Sequence, residues 1–108
     1  MNASPTRLLR LCPAPPHLGP FRETFGLDGL SFDAQIDQLR AENLLLPGGW
    51  AAAMTAEGYD VLETIPSDAA LQKSWVRERG IAEGGTSSEI LIEQVRAFQP
   101  EVIFIYAG

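Results

Sequence analysis

Three short apolar runs, separated by long segments with helical periodicity, constrain the fold of this chain more than any other feature. The runs span residues 7–12, 59–65 and 102–107. Each has the length of a buried strand, and the last two contain β-branched side chains. Strands that alternate with helical crossovers form parallel sheets with right-handed connections. The sequence therefore predicts the α/β class: a three-layer, Rossmann-like fold with a parallel sheet of about three strands in the order 2-1-3.

The last apolar run has an outer edge that the predicted sheet does not cover. It extends from Val102 to Ala107 without a charged residue. In the order 2-1-3 it lies beside the first strand, so its other edge expects a further partner. We therefore expect an incomplete domain. In it, residues 1–30 form the first strand and a long Pro/Gly-rich loop, and residues 31–108 form the remaining helices and strands.

Local start and stop signals delimit the helical segments. Ser31 precedes an amphipathic run over residues 32–46, in the position of an N-cap. Gly58 follows the next helical segment, where a left-handed C-cap is expected. Asp68 stands at the start of a third helix and Gly80 at its end. These signals predict at least three helices before the last one.

The clearest local signal opens the last helix, in the stretch TSSE. The Thr86 hydroxyl can accept a hydrogen bond from the Glu89 amide, and the Glu89 carboxylate can accept one from the Thr86 amide. This reciprocal pair is a capping box. We expect the helix behind it to turn Leu91, Val95 and Phe98 toward the core.

The link between this helix and the last strand predicts where the helix begins in space. Only Gln99 and Pro100 join the two elements, so the helix must end at the amino edge of the sheet. Its start, about 20 Å away at 1.5 Å per residue, then lies at the carboxyl edge, where open α/β sheets bind ligands. The candidate ligand-binding residues there are Gly84, Gly85, Thr86 and Ser87. Helix N-terminal amides attract anions, but a plain turn explains the two glycines equally well, and the capping box already uses two of the amides.

The proline-rich segment over residues 13–30 follows the first strand and is predicted to be a long irregular loop. It contains the single histidine, His17, which is the candidate catalytic residue because an imidazole at the carboxyl edge can act as a general base. An exposed loop histidine without a special role is the alternative. Cys12, which ends the first strand, is interpreted as a small buried side chain rather than a nucleophile.

Composition argues against several partners. The formal net charge is -6 and the basic residues form no continuous stripe, so neither nucleic acid nor an acidic membrane surface is expected to bind. One cysteine and one histidine offer no set of soft ligands, and we predict no metal site. The turn after the first strand lacks nucleotide-binding glycine or lysine motifs, and no cofactor is predicted. No apolar stretch is long enough to span a membrane, and the expected location is the cytoplasm.

Two stretches share a further pattern. They read GGWAAAMTAEGYDVLETIPSDAALQKSWVRERG, residues 48–80, and SSEILIEQVRAFQPEVIFIYAG, residues 87–108. A helix ends in Gly-Tyr-Asp-Val, a strand follows, and then Leu-Gln-x-x-x-Trp leads to Arg-Glu-Arg-Gly; a last helix runs into Gln-Pro-Glu-Val and an apolar strand. This pattern resembles the amino-terminal halves of GT-B glycosyltransferases, most closely the spore-maturation-related group and the family 1 or 4 type enzymes. The resemblance covers residues 31–108, and the segment before it matches poorly.

The resemblance implies one half of a two-domain enzyme. In that family the amino-terminal domain binds the acceptor, the carboxyl-terminal domain binds the nucleotide sugar, and a sugar moves to an acceptor hydroxyl in the cleft between them. The present chain would then be an acceptor-side fragment, inactive alone, that meets a nucleotide sugar only through a missing C-terminal domain. No catalytic or donor-binding residue of the family carries over. The alternative is a non-enzymatic α/β module that binds a ligand or partner and forms a homo-oligomer through its sheet edge.

Overall fold

The computed structural model describes residues 5–45, 48–80 and 85–105. The strands are β1 (Arg7–Leu11), β2 (Asp60–Thr64) and β3 (Val102–Ile105). The helices are α1 (Leu18–Phe25), α2 (Phe32–Ala41), α3 (Trp50–Ala56), α4 (Ala69–Glu78) and α5 (Ser87–Phe98), with a short 3-10 helix at Leu27–Gly29. The strands form one parallel sheet in the order β2-β1-β3. The predicted α/β class and strand order are therefore confirmed.

Helices cover both faces of this sheet. Arg10 of β1 and Phe104 of β3 are register partners and share one face, where Trp50 of α3 contacts both of them. Thr64 of β2 points to the other face, where Gln72 of α4 donates a hydrogen bond to its Oγ1 at 2.8 Å. The sheet therefore lies between two helical layers. In the part of the chain that the structure describes, no helix has the length and apolar character needed to cross a bilayer.

The apolar core lies mainly between the sheet, α2 and α4. Its buried members are Cys12, Leu27, Phe32, Ile36, Leu39, Leu45, Ile65, Leu71, Trp75 and Val76. Phe32, Ile36 and Leu39 recur at helical spacing along α2, which confirms the amphipathic pattern of that segment. Full burial of a side chain of this size contributes about 1.5–3 kcal/mol. The β2 side of the molecule is consequently the well-packed side.

Helix termini follow the predicted capping signals. The Ser31 hydroxyl accepts a hydrogen bond from the Ala34 amide at 3.1 Å, and the Asp68 carboxylate caps α4. Gly58 and Gly80 follow α3 and α4 with φ of 96° and 69°, a left-handed conformation that glycine adopts without a Cβ penalty. These caps confirm where α2 and α4 start and where α3 and α4 stop.

The segment after β1 is more regular than predicted. Residues 13–30 were expected to form a long irregular loop, but they contain the eight-residue helix α1 and the short 3-10 helix. Pro20 is tolerated because it occupies the first turn of α1, where backbone amides need no intrahelical acceptor. Gly26 ends the helix with a φ of 61°. The prediction of an unstructured loop is therefore wrong for this segment.

Two other expectations about helices need correction. The helix predicted over residues 32–46 ends at Ala41, because Asn43 adopts a φ of 60° and turns the chain back toward the core; residue 46 lies outside the described residues. In α5, the side chains expected to face the core are only half-buried: Leu91, Val95 and Phe98. Gln94 is instead the fully buried residue of α5, because this helix packs on α4 through a hydrogen bond between two glutamines.

A buried ionic cluster lies on the α3 face of the sheet. Arg10 is 3% and Glu63 1% exposed, and the two are partners in the β1–β2 register. Arg10 Nε donates to Glu63 Oε2 at 2.7 Å, and Arg40 Nε donates to Glu63 Oε1 at 2.7 Å. Arg10 Nη2 also donates to the Leu45 carbonyl oxygen at 3.3 Å, and its guanidinium lies 4.9 Å from the Trp50 ring centroid. This cluster joins β1, β2, α2 and α3.

Removal of the carboxylate from this cluster should destabilise the fold strongly. In Glu63→Gln, the Arg10 guanidinium remains buried without its counter-charge, which should cost about 3–5 kcal/mol in the free energy of unfolding. Urea denaturation at neutral pH measures the change. The matched control is Asp37→Asn, since Asp37 is an exposed partner of the same Arg40 and should change stability by less than about 1 kcal/mol. Equal effects of the two substitutions would contradict a central role for the buried cluster.

Candidate functional site

The carboxyl edge of the sheet is the candidate functional surface. The Cys12 amide still donates to the Thr64 carbonyl oxygen at 2.9 Å, so β1 and β2 end side by side. The crossover from β1 to β2 includes α3 on one face, and the crossover from β2 to β3 includes α4 on the other. Strand order therefore reverses beside β1, which is where ligands bind in sheets of this kind.

His17 lies at this edge and immediately precedes α1. Its backbone is left-handed, with φ 61° and ψ 29°, which is uncommon for a residue with a side chain. Its carbonyl oxygen accepts a hydrogen bond from the Phe21 amide at 3.1 Å. The side chain is exposed, and among the described residues none forms a hydrogen bond with the imidazole. The fold thus fixes the backbone of His17 and leaves its ring nitrogens accessible.

A second ionic cluster anchors α1, the helix that follows His17. Arg22, on α1, forms a buried ion pair with Asp68, the N-cap of α4. Arg22 Nη1 also donates to Asp28 Oδ1 and to Gln35 Oε1, both at 2.9 Å. These contacts connect α1 to the start of α4 and to α2. The segment after β1 is therefore held against the segment after β2.

Arg22 retains one donor without an acceptor. Its Nε is buried and makes no hydrogen bond among the described residues. An unpaired donor on a buried guanidinium is costly, typically about 1–3 kcal/mol or more. A polar oxygen placed at this point, from a ligand or a water molecule, would satisfy it.

The capping box predicted at the start of α5 is present. Thr86 Oγ1 accepts a hydrogen bond from the Glu89 amide at 3.2 Å, and Glu89 Oε1 accepts one from the Thr86 amide at 3.4 Å. Two of the amides expected to bind an anion are thus already occupied, and the Glu89 carboxylate brings a negative charge to the helix start. This arrangement is that of a structural cap.

The start of α5 borders a small pocket of about 150 Å³. The pocket is lined by Ala69, Gln72, Lys73, Val76, Gly85, Ser87 and Ile90. At the opposite end of α5, the Gln99 carbonyl oxygen accepts a hydrogen bond from Arg7 Nε at 2.8 Å. The helix therefore ends at the amino edge, as predicted, and its start lies beside the start of α4.

The four candidate ligand-binding residues are thus only partly brought together. Gly85 and Ser87 line the same pocket, Thr86 serves the capping box, and Gly84 lies outside the described residues. A Cβ added at Gly85 would meet only ordinary contacts, 3.6 Å from Ile90 at the nearest. A close approach of ligand to backbone is therefore not the reason for glycine at this position. Within the described part of the chain, no hydrogen bond or ion pair links His17 to any of these residues.

Cys12 is unsuited to nucleophilic chemistry. Its side chain is buried in the core, and this burial raises the pKa of the thiol from 9.0 to about 11, an effect that the nearby Arg10 guanidinium partly offsets. The thiolate is the reactive form of cysteine. At neutral pH the Cys12 thiol is therefore protonated and inert, in agreement with its interpretation as a packing residue.

Sequence reasoning missed the polar residues that hold this edge together. Arg22 and Asp68 are 46 positions apart, and no local motif marks them as partners. Gln72 was singled out only within the Leu-Gln-x-x-x-Trp pattern of the resemblance, yet it links Thr64 of β2 to Gln94 of α5. Arg22 adjoins Glu23 in the stretch LGPFRETF, so no local signal marks it as a buried, paired charge.

Comparisons of the chain with protein-family models, with curated proteins and with solved structures found no match. Among the described residues, no group of three or more His, Cys, Asp and Glu side chains is arranged to hold a metal ion. The chemistry of the site therefore has to be argued from its own residues.

The raised pKa of Cys12 should make stability fall at high pH. The folded state keeps the thiol protonated up to about pH 11, whereas the unfolded chain ionises it near pH 9. The thiol's contribution is thus fully present below pH 9 and is lost as the pH rises toward 11, which should remove about 3 kcal/mol from the free energy of unfolding. Denaturant titrations at several pH values give the free energy of unfolding of the wild type and of Cys12→Ala. Between pH 9 and 11 this free energy should fall more steeply in the wild type. Parallel slopes would show that Cys12 is not buried as described.

Proposed function

We propose that the described residues form the acceptor-side, Rossmann-like half of a sugar-transferring enzyme of the GT-B type, which moves a sugar from a nucleotide sugar to an acceptor hydroxyl. The observation that carries this proposal is the exposed His17, which lies in the segment after the carboxyl end of β1 and immediately before the anchored helix α1. The parallel sheet in the order β2-β1-β3 supports it, since that is the architecture implied by the resemblance to this family.

His17 is proposed as the general base. Its imidazole would accept the proton of the acceptor hydroxyl while the hydroxyl oxygen attacks the anomeric carbon of the donor. The bond between that carbon and the nucleotide diphosphate breaks, and the diphosphate leaves with the electron pair. The ring of His17 is exposed, so a substrate can reach it from solvent. Its left-handed backbone is held at the start of α1, which restricts the orientation of the imidazole.

Arg22 and its cluster are proposed to position the acceptor site rather than to react. The buried Arg22–Asp68 pair fastens α1, the helix that follows His17, to the start of α4. Among the described residues, the Arg22 Nε–H has no hydrogen-bond partner. It is proposed to donate to an oxygen of the substrate that receives the sugar, or to a water molecule bound to that substrate. Such support of a reacting group by buried polar partners is common in enzyme sites.

The nucleotide sugar is assigned to another half of the enzyme. The turn after β1 reads CPAPPHLG and has none of the glycine or lysine patterns that hold a diphosphate. The chain carries a net charge of -6, which opposes the binding of a polyanion. On its own, the described domain should therefore bind acceptors and ignore donors.

The imidazole of His17 offers a direct test because the chain contains a single histidine. Its ring proton resonances in an NMR spectrum are unambiguous. Titration with a panel of hydroxyl-bearing acceptors, such as monosaccharides, polyols and phenols, should shift these resonances for at least one class of compound. Titration with uridine diphosphate glucose alone should leave them unchanged.

The control variant is His17→Asn, since asparagine also tolerates a left-handed backbone. It should retain the wild-type melting temperature and should still bind the acceptor found by NMR, as detected by calorimetry. A nucleotide sugar that binds this chain tightly by itself would contradict the acceptor-side assignment. So would a His17 resonance that no compound of the panel displaces.

A further inference from the structure

The two edges of the sheet are protected very differently. At the β2 edge, Asp60 supplies an exposed charge, Thr64 is fully buried, and α3 packs alongside. At the β3 edge every residue is exposed and apolar: Val102 by 40%, Ile103 by 46%, Phe104 by 43% and Ile105 by 73%. Edge strands of monomeric proteins normally carry a charge, a proline or a bulge that discourages pairing. β3 has none of these.

The outer edge of β3 also presents backbone groups ready for pairing. In a parallel pair, only one of two register partners directs its backbone groups to the neighbouring strand. The Cys12 amide donates to Thr64, so even-numbered residues of β1, Arg10 among them, face β2. Phe104, the register partner of Arg10, therefore faces β1, and the backbone groups of Ile103 and Ile105 point outward. The outer edge therefore offers two N–H and C=O pairs with apolar side chains above and below.

We propose that β3 pairs antiparallel with β3 of a second copy of this chain, which joins two three-stranded sheets into one of six strands. Charge favours this occupant. The chain is strongly acidic, with a net charge of -6, so two copies repel each other over most surfaces. Val102–Ile105 carries no charged side chain, and the adjacent Glu101 is paired with Arg7 at 3.9 Å. Two acidic chains can therefore meet along this apolar strip with little repulsion.

Symmetry then selects the register. A twofold axis perpendicular to the sheet runs between the two copies of β3. Directly opposite residues of an antiparallel pair have their side chains on the same face, so one residue of β3 must lie opposite its own counterpart in the partner, at the level of the axis. An axis at Ile103 would place Ile105 opposite the partner's Glu101. An axis at Phe104 instead places Phe104 opposite the partner's Phe104, and Ile103 opposite the partner's Ile105. Aromatic and β-branched pairs of this kind stabilise sheets by about 0.2–1 kcal/mol each, so the Phe104 register is the one we assign.

The contact at Phe104 is supported from within the protomer. Trp50 packs edge-on against the Phe104 ring, with centroids 5.3 Å apart, which limits its motion before association. An ordered side chain loses less entropy when a partner binds. The pairing does not depend on the proposed sugar transfer and can be tested on the chain as it stands.

Mass in solution, measured by light scattering over a range of concentrations, tests the association. The wild type should have twice its 11.7 kDa chain mass at high concentration and dissociate on dilution. Ile105→Lys, at a position that is 73% exposed, should be monomeric with an unchanged melting temperature. The matched control is Tyr59→Lys, a 38% exposed apolar residue beside the opposite edge, which should remain dimeric.

Disulfide trapping tests the register in a Cys12→Ala background. Ile103→Cys combined with Ile105→Cys should form a covalent dimer on oxidation, because the two positions oppose each other across the axis as a hydrogen-bonded pair, whose Cα atoms lie about 5.5 Å apart, within the range that a disulfide spans. Ile103→Cys alone should stay reduced. Efficient trapping of the single variant would overturn the Phe104 register. A wild type that is monomeric at every concentration would overturn the proposal, and the β3 edge would then be available to a different chain. Association that persists in Ile105→Lys would also overturn it.

Discussion

The buried pair of Arg10 and Glu63 is the interaction on which the rest of this structure depends. β1 is the central strand, and it carries a guanidinium into an interior where a lone charge is not tolerated. Glu63 neutralises it from the adjacent position of β2, and a shift of that register by one residue would place the two charges on opposite faces. The same carboxylate holds Arg40 of α2, and the same guanidinium packs under Trp50 of α3. One ion pair thus fixes the strand register and two helices.

A second buried ion pair joins separate elements at the carboxyl edge of the sheet. Arg22 and Asp68 connect α1 with the start of α4, and Gln72 extends the polar contacts from β2 to α5. Both ionic clusters therefore lie toward β2, where the helices are tightly packed. β3 has no such fastening, and its side chains remain exposed. The β2 side of the sheet is thus tightly packed, whereas the β3 edge is exposed. The ends of β1 and β2 form an ordered surface, and β3 is available for association.

The sequence predicted the parts of this fold that rest on local signals. The caps at Ser31 and Asp68 and the capping box at Thr86 follow from patterns within a few residues, and the strand order follows from the alternation of strands and helices along the chain. It did not predict α1, because prolines near a helix start resemble a loop. It also did not predict the ionic clusters, because their partners lie tens of positions apart along the chain. At the candidate site, His17 could be located from the topology, whereas the Arg22 support of the helix that follows it required tertiary contacts. Sugar transfer, the acceptor role and incompleteness of the domain stay predictions.

Native-state hydrogen exchange, resolved by residue, tests most directly whether the sheet is fastened at β1 and β2 and open at β3. Amides of β1 should exchange only through global unfolding, since that strand is paired on both edges and held by the buried ion pair. Under conditions where the protein is dilute, the outward-facing amides of Ile103 and Ile105 should exchange far faster than those of β1. Exchange of β1 that is as fast as that of β3 would contradict this account.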